Sequence, residues 1–191
     1  MDFETLYRDY VEKCSHETAF NKEEAKALYD LASNLPEASN IVEIGVEFGR
    51  STTVLGQVSK ERGHKFVAID AWLGEYSPQA RKHVEDVLIK EWGLPIRLWS
   101  QKSGDVARMY LDRINLIHID GDHTYDGVME DCKKWLPKVA PDGYVCFDDY
   151  GHDSLPEVYA AVSDYMKDNP DWDFVERVGN KLGIYRRTWW A

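Results

Sequence analysis

Residues 116–150 read LIHIDGDHTYDGVMEDCKKWLPKVAPDGYVCFDDY, and this stretch decides the fold. Continuous apolar runs at 116–120 and 144–148 have the length and composition of buried strands. The segment 124–138 between them places apolar residues at helical spacing, and a Pro-Asp-Gly turn at 141–143 leads into the second run. Strand, helix and strand in this order predict two parallel neighbours joined by a crossover helix, because parallel strands cannot be joined by a tight turn.

The same alternation extends on both sides of this unit. Further apolar runs lie at 41–45, 66–70 and Ile96–Trp99, and further helical stretches lie at about 51–62, 78–91, 104–111 and 154–168. The chain ends differently, because Trp172–Val178 and Leu182–Arg187 are separated only by Gly179-Asn180-Lys181, a hairpin-like connection. We therefore predict an α/β fold with a doubly wound, seven-stranded, mostly parallel sheet and one antiparallel strand at the C-terminal hairpin.

Residues 1–35 are predicted to form two helices that cap the main domain, 36–191, and belong to the same folding unit. The second of these helices opens with Asn21 and Glu24 at capping-box spacing. Ser154 and Glu157 show the same spacing, which predicts the start of the helix at 154–168.

The composition limits the class of protein. The 191 residues are 43% hydrophobic, which is enough for a buried core and excludes a disordered chain. The 34 acidic residues outnumber the 23 basic ones, and the net charge of −11 disfavours nucleic acid or an anionic membrane surface as a partner. Three widely spaced cysteines are typical of reduced thiols, and no signal peptide or apolar run of about 20 residues is visible, so a cytoplasmic location is expected.

The first strand and its turn read VEIGVEFGRST at 42–52, with Gly45 and Gly49 in the turn and Ser51 at the helix start. This spacing is neither a dinucleotide-binding GxGxxG fingerprint nor a phosphate-binding loop with its lysine. Asp70 ends the second strand, where an acidic side chain commonly accepts hydrogen bonds from the hydroxyls of a ribose. Taken separately, the glycines could belong to a plain strand–helix turn, and Asp70 could be a helix cap. Together they favour a ribose-containing ligand without a pyrophosphate.

Carboxylates follow the fourth and fifth predicted strands. Asp120 ends one strand and Asp148 and Asp149 end the other, so neighbouring strands would bring the three side chains together. Like charges repel unless a cation or protons intervene, and oxygen ligands suit Mg²⁺ or another divalent cation. Alternatively, Asp149 caps the next turn and the site around His123 holds no metal. His123 is placed to act as a general base, whereas His118, inside an apolar run, is interpreted as a hydrogen-bonded core residue.

About three-quarters of the chain, from about 41 to 187, resembles class I S-adenosylmethionine-dependent methyltransferases, and in particular small-molecule O-methyltransferases of the catechol and macrolide-sugar types. VEIGVEFGRST is similar to their first cofactor motif and VAIDAW to their ribose-binding strand end. IDGDHTYDGV, followed by DDY, is the most specific match. The resemblance implies a Rossmann-like methyltransferase fold and S-adenosylmethionine as the cofactor.

The resemblance also implies a set of site residues. The implied cofactor contacts are Glu43, Gly45, Gly49 and Ser51 on the methionine side, Asp70, Ala71 and Trp72 around the ribose, Ser103 and Gly104 at the adenine, and Asp120. Metal-dependent relatives use the positions of Asp120, Asp148 and Asp149, which implies Mg²⁺ or another divalent cation there. Catechol-type enzymes have a lysine base three residues after the first metal ligand; here that residue is His123, so Asp120 and His123 are the expected catalytic pair.

These features predict an enzyme that methylates a hydroxyl group of a small molecule, such as a sugar, a catechol-like compound or a natural product, with help from a divalent metal. The segment 73–80, the loop 150–155 and the N-terminal helices are expected to form the substrate pocket. Trp189 and Trp190 would either pack on the partner subunit of a homo-oligomer or form a tail. Two other classes stay open: a nicotinamide-dependent oxidoreductase and a non-catalytic cofactor-binding module on the same fold.

Overall fold

A seven-stranded sheet forms the centre of the structure, a computed structural model that describes residues 1–14, 20–73, 77–179 and 181–188. Its strands are β1 (Asn40–Ile44), β2 (Lys65–Ile69), β3 (Ile96–Trp99), β4 (Ile114–Ile119), β5 (Val139–Phe147), β6 (Trp172–Val178) and β7 (Leu182–Arg187). They follow the order β3-β2-β1-β4-β5-β7-β6 across the sheet. Because β1 pairs with both β2 and β4, the strand order reverses beside β1, which is where open α/β sheets bind ligands.

Strand direction follows the expected pattern. β1 to β5 are parallel, whereas β7 runs antiparallel to both β5 and β6 and lies between them. The predicted seven-stranded sheet with one antiparallel strand is therefore confirmed. The connection before β7 is tight: the Lys181 amide donates to the carbonyl of Val178 at 3.2 Å, and Gly179 has a φ of +59°. Asn180, part of the predicted link, lies outside the described residues.

Helices cover both faces of the sheet. They are α1 (Phe3–Leu6, continued with π-type geometry over Tyr7–Val11), α2 (Lys22–Asn34), α3 (Arg50–Arg62), α4 (Ser77–His83, continued over Val84–Glu91), α5 (Ser103–Met109), α6 (Tyr125–Trp135, followed by a 3₁₀ turn at Leu136–Lys138) and α7 (Pro156–Asp168). Apolar side chains of α1 to α4 form one core with the sheet, and those of α5 to α7 form the other. The N-terminal helices thus share a core with the main sheet.

One of the two predicted capping boxes is confirmed. The Asn21 side chain accepts from the amides of Glu23 and Glu24, and the Glu24 carboxylate accepts from the Asn21 amide. The box at Ser154 and Glu157 is wrong, because α7 begins at Pro156 and its N-cap makes no side-chain hydrogen bond. A proline in the first turn already suits a helix start, since its missing N–H would have no partner there. Glu157 instead accepts from the Tyr125 amide at the start of α6 (2.8 Å).

The fifth strand is longer than its apolar run. β5 begins at Val139 rather than at 144, and the Pro-Asp-Gly sequence predicted as a turn lies inside the strand. The pairing register with β4 shifts at this point, and Asp142 has a φ of +63°. The turn residues therefore form a bulge, which keeps the chain in the sheet while it absorbs the extra residues.

Candidate active site

The carboxyl ends of the parallel strands form one edge at which the predicted site residues gather. The ladder continues one residue past three strands: the amides of Gly45, Asp120 and Asp148 donate to the last carbonyl of the neighbouring strand at 2.9, 2.7 and 2.9 Å. These bonds fix the backbone from which the side chains project. The residues predicted from strand ends therefore do come together, because the sheet order places their strands side by side.

A cavity of about 640 Å³ opens at this edge. The predicted residues on its wall are Gly45, Asp70, Ala71, Ser103, Gly104, Asp120 and His123. Gly49, Ser51, Asp148 and Asp149 line an adjoining recess of about 150 Å³. Val46, Glu47, Asp120 and His123 border both spaces, so the cavity and the recess meet at this point.

Gly45 sits where no side chain could be accommodated. Its φ is +84°, and a Cβ there would lie 1.7 Å from the carbonyl oxygen of Asp120. The strand β1 can therefore approach the end of β4 closely only with glycine at this position. Gly49, with a φ of +83°, forms the N-cap of α3, and its amide donates to Val46 at 2.7 Å.

Asp70 braces the glycine turn as well as facing the cavity. Its Oδ2 accepts from the amides of Val46 (2.9 Å) and Glu47 (3.0 Å), and its Oδ1 accepts from the Trp72 amide (2.7 Å). A carboxylate has about four acceptor positions, so capacity remains for a ligand hydroxyl. The Trp72 side chain packs against the core on the α3 side.

Asp131 contributes a buried carboxyl group to the wall beside Ser103. The Ser103 hydroxyl donates to Asp131 at 2.5 Å, and burial raises the pKa of Asp131 to about 6. A Cβ on Gly104 would lie 2.6 Å from the Nζ of Lys134, so the end of this lysine side chain lies directly against Gly104. Sequence reasoning missed Asp131, although an acid three residues after Val128 on the apolar stripe of α6 was a readable signal.

Glu43 lies beneath the cavity rather than on its wall. Its side chain is completely buried, accepts a hydrogen bond from the Thr52 hydroxyl (2.6 Å) and lies 3.3 Å from the Nδ1 of His118. Burial alone would lower the pKa of His118, but the hydrogen bond and charge of Glu43 outweigh it and raise this pKa. His118 is thus a hydrogen-bonded core residue, as predicted, and Glu43 supports the start of α3 from below.

His123 stands between two carboxylates where the cavity meets the recess. Its Nε2 lies 3.4 Å from Oδ1 of Asp120 and 3.4 Å from Oδ2 of Asp149. The hydrogen bond with Asp120 raises the pKa of His123, and burial raises that of Asp120. Asp149 has a φ of +55°, a strained conformation for a residue with a side chain. The imidazole is therefore oriented by two acidic side chains and leaves part of its surface open to a ligand.

Lys181 brings a cation into the acidic cluster. Its Nζ lies 2.9 and 3.0 Å from the two carboxylate oxygens of Asp148 and 3.4 Å from Oδ1 of Asp149. Oε2 of Glu24 lies 3.9 Å away, and only 9% of the Lys181 side chain is exposed. Burial would lower the pKa of Lys181, but Asp148 and the other carboxylates raise it overall. Sequence reasoning treated Lys181 only as part of a turn and missed this role.

The ammonium group of Lys181 lies among the predicted metal ligands. Asp148 uses both oxygens on the ammonium group, so charges of +2 and +1 about 4 Å apart would repel by about 8 kcal/mol at an effective dielectric constant of about 20. Asp120, His123 and Asp149 do offer ligand atoms within 4.8 Å of one another. As the side chains stand, however, the set Asp120, Asp148 and Asp149 does not fit a divalent ion, because Lys181 already lies there.

Residues 42–150, which include the glycine turn and the strands around the cavity, match a family model described as a methyltransferase domain. This match covers more than half of the chain. The chain belongs to this methyltransferase family. The resemblance seen in the sequence is thereby confirmed at the level of the family, and the residues matched include both the glycine turn and the Asp148–Asp149 pair. A search of the curated proteins finds no match to this methyltransferase.

Solved structures share its fold. The O-methyltransferase NovP has 18% identity and a TM-score of 0.69, with 90% of this chain and 82% of NovP covered. TomG from Streptomyces achromogenes, an O-methyltransferase of tomaymycin synthesis in complex with SAM, has 17% identity and a TM-score of 0.66, covering 97% and 87%. A rRNA methylase from Streptococcus thermophilus has 16% identity and a TM-score of 0.63, covering 84% and 94%. At these identities the likeness establishes the fold of the methyltransferase and leaves its substrate open.

The segments expected to form the substrate pocket are placed only in part. Leu73 lines the cavity and is 78% exposed, whereas Ala80 is buried in α4 and residues 74–76 lie outside the described residues. Phe20, just before α2, lines the recess, so the N-terminal segment does reach the site of the methyltransferase. Trp189 and Trp190 also lie outside the described residues. Within the described ranges, no helix is both long and apolar enough to cross a membrane.

Proposed function

We propose that this methyltransferase uses S-adenosylmethionine to methylate a hydroxyl oxygen of a small molecule. The observation that carries the proposal is the junction of the two spaces, where Asp120 and His123 border both the larger cavity and the smaller recess. A cofactor in the cavity and a hydroxyl group in the recess would meet beside the His123 imidazole. The O-methyltransferase activity of NovP and TomG, and the SAM bound to TomG, support the choice of chemistry.

The walls of the cavity suit the three parts of this cofactor. In the proposal, Asp70 accepts from the ribose hydroxyls, and the turn from Gly45 to Ser51 holds the methionine part. Ser103, Gly104 and the buried carboxyl group of Asp131 face the adenine. Gly45, where a Cβ would lie 1.7 Å from the Asp120 carbonyl oxygen, keeps the turn close to the end of β4 and leaves the cavity wall there without a side chain. The acidic lining also favours a ligand with a positive sulfonium.

S-adenosylmethionine supplies a methyl group that is already electrophilic, so the protein must mainly orient and deprotonate the attacking hydroxyl. In the proposal, Nε2–H of the neutral His123 imidazole donates to Asp120, and Nδ1 accepts the hydroxyl proton as the oxygen becomes the nucleophile. Asp120 and Asp149 then stabilise the imidazolium that forms, since each carboxylate lies 3.4 Å from its Nε2. Full exclusion of water from the recess would strengthen both interactions.

The recess favours a small, neutral or cationic substrate. Its wall carries four acidic side chains, Glu47, Asp120, Asp148 and Asp149, against the two cations of Arg50 and Lys181, and Phe20 contributes an apolar side chain. An anionic polymer would meet repulsion from these carboxylates and from the net charge of −11. This argues for a hydroxylated small molecule over the RNA substrate of the rRNA methylase with the same fold.

Calorimetry with S-adenosylhomocysteine and NAD⁺ tests the cofactor. We expect S-adenosylhomocysteine to bind and Asp70→Ala to weaken it by about 5- to 150-fold, the ~1–3 kcal/mol of hydrogen bonds to a charged group. Asp70→Asn retains one oxygen that can accept from the amides of the turn. Comparison with Asp70→Ala therefore separates the loss of support for the turn from the loss of the ribose contact. Asp173→Ala, on the exposed edge strand β6, is the matched control and should bind normally. Binding of NAD⁺ alone would favour the oxidoreductase. Binding of S-adenosylhomocysteine without methyl transfer to any substrate would favour the non-catalytic cofactor-binding module.

Transfer of a labelled methyl group from S-adenosylmethionine tests the substrate class. We expect labelling of one or more members of a panel of sugars, catechols and hydroxylated natural products. A ribosomal RNA fragment is assayed in parallel. Labelling of the RNA but not of the panel would contradict the proposed substrate class while leaving the cofactor proposal intact.

A further inference from the structure

The ammonium group of Lys181 sits in a pocket built by three separate elements. The end of β5 supplies Asp148 and Asp149, the N-terminal turn of α2 supplies Glu24, and the β6–β7 connection supplies the lysine itself. Asp148 and Asp149 are 5% and 8% exposed, and Glu24 is completely buried. The ammonium group of this buried lysine donates to both oxygens of Asp148 and to Asp149, with Glu24 3.9 Å away, which is unusual for a residue type that normally stays in water.

The surrounding packing holds Lys181 in this position. A Cβ on Gly179 would lie 2.6 Å from both Nδ2 of Asn21 and Oε1 of Glu24, so the hairpin lies directly against the capping box of α2. The Lys181 amide donates to the carbonyl of Val178, which holds the backbone of the β6–β7 connection at this residue. The lysine is therefore fixed both by its own backbone and by the N-terminal helix, not by a chance surface contact.

Lys181 also connects to the proposed base. Asp149 faces Lys181 with Oδ1 and His123 with Oδ2, both at 3.4 Å. This carboxylate therefore lies between the ammonium group and the imidazole. A divalent ion bound by Asp148 would need the two oxygens that Lys181 already occupies.

We propose that Lys181 is the resident cation of this site, replacing a divalent metal between Asp148 and Asp149, and that it positions His123 through Asp149. The positioning of His123 as the base rests on the proposed function, whereas the replacement of a divalent metal by Lys181 does not depend on it. It follows that the protein has no specific site for Mg²⁺ or Mn²⁺ at these carboxylates. It also follows that removing the ammonium charge exposes a cluster able to bind such an ion.

Mn²⁺ binding followed by electron paramagnetic resonance tests the proposal directly. We expect wild-type protein to bind Mn²⁺ only weakly and Lys181→Met, of similar length without the charge, to bind at least about tenfold more tightly. Lys181→Met combined with Asp148→Asn should lose that gain. Lys90→Met removes a surface lysine that pairs with Asp86 at 2.7 Å and should behave like wild type. Tight, stoichiometric Mn²⁺ binding by wild type, or no gain in Lys181→Met, would overturn the proposal.

Two further measurements keep the outcome interpretable. If Lys181→Met does not fold alone, the double variant, which removes both charges, shows whether the fold tolerates the change, and the wild-type Mn²⁺ titration still decides the proposal. S-adenosylhomocysteine affinity, measured on the same samples, reports failure of the proposed function separately. Once a substrate is found, wild-type turnover should persist in EDTA, whereas Lys181→Met should be stimulated by Mn²⁺. Loss of wild-type turnover in EDTA, restored by Mg²⁺, would also overturn the proposal.

Discussion

Removing the ammonium group of Lys181 should be costly because its partners are buried. In Lys181→Met the apolar stem is retained, so the loss is mainly electrostatic. Breaking a buried pair by removing one partner typically costs about 3–5 kcal/mol, since the other charge is left uncompensated. With Asp148 5% exposed and both its oxygens within 3.0 Å of Nζ, we expect a loss in this range.

A double-mutant cycle separates the pair from its surroundings. Lys181→Met and Asp148→Asn are measured singly and together by urea unfolding, in EDTA, with far-UV circular dichroism as the probe. We expect the double variant to be at least about 2 kcal/mol more stable than the sum of the single losses implies, because neither charge remains to be left unpaired. The control Lys90→Met breaks an exposed pair and should cost less than about 1 kcal/mol. Equal losses in Lys181→Met and Lys90→Met, or simple additivity in the cycle, would refute the reasoning.

Three other predictions follow from the site. Burial raises the pKa of Glu24 to about 7 from 4.5, so the folded state binds this proton more tightly than the unfolded state does. The free energy of unfolding should therefore fall by about 3 kcal/mol between pH 4.5 and 7. Glu24→Gln should remove this pH dependence from urea unfolding, and an unchanged pH dependence would contradict the assignment. Gly45→Ala should destabilise the fold by more than the ~1–2 kcal/mol that a left-handed backbone costs an alanine, and it should abolish S-adenosylhomocysteine binding. Gly63 has a φ of +69° and open space where a Cβ would lie. Gly63→Ala should therefore show only the cost of the left-handed backbone and bind S-adenosylhomocysteine normally. The hydrogen bond with Asp120 raises the pKa of His123 above 6.5, and the neutral form is the base, so kcat should rise with pH through a value above 6.5. His123→Gln should lower kcat by about 10²- to 10⁴-fold and remove this rise, without weakening the binding of S-adenosylhomocysteine. An unchanged pH profile would exclude His123 as the base.

Local patterns in the sequence were sufficient for the framework of this methyltransferase. The alternation of apolar runs and helical stretches predicted the α/β sheet, and the missing helix before Leu182–Arg187 predicted the antiparallel strand. The capping box at Asn21 could be predicted because both partners lie within one turn. Strand ends such as Asp70, Asp120 and Asp148 were recognisable because parallel strands present their carboxyl ends at one edge.

Only the tertiary structure decided which distant groups meet. Glu157 matched a local capping pattern, yet α7 packs beside α6, and the Glu157 carboxylate accepts from the Tyr125 amide instead. The sequence indicated that three carboxylates needed a cation or protons to offset their repulsion. It could not show that Lys181 supplies a cation, because that contact joins the hairpin, the end of β5 and the start of α2. Periodicity and capping act over a few residues and are written in the sequence itself. A buried ion pair exists only after the sheet order has brought its members together and excluded water from between them.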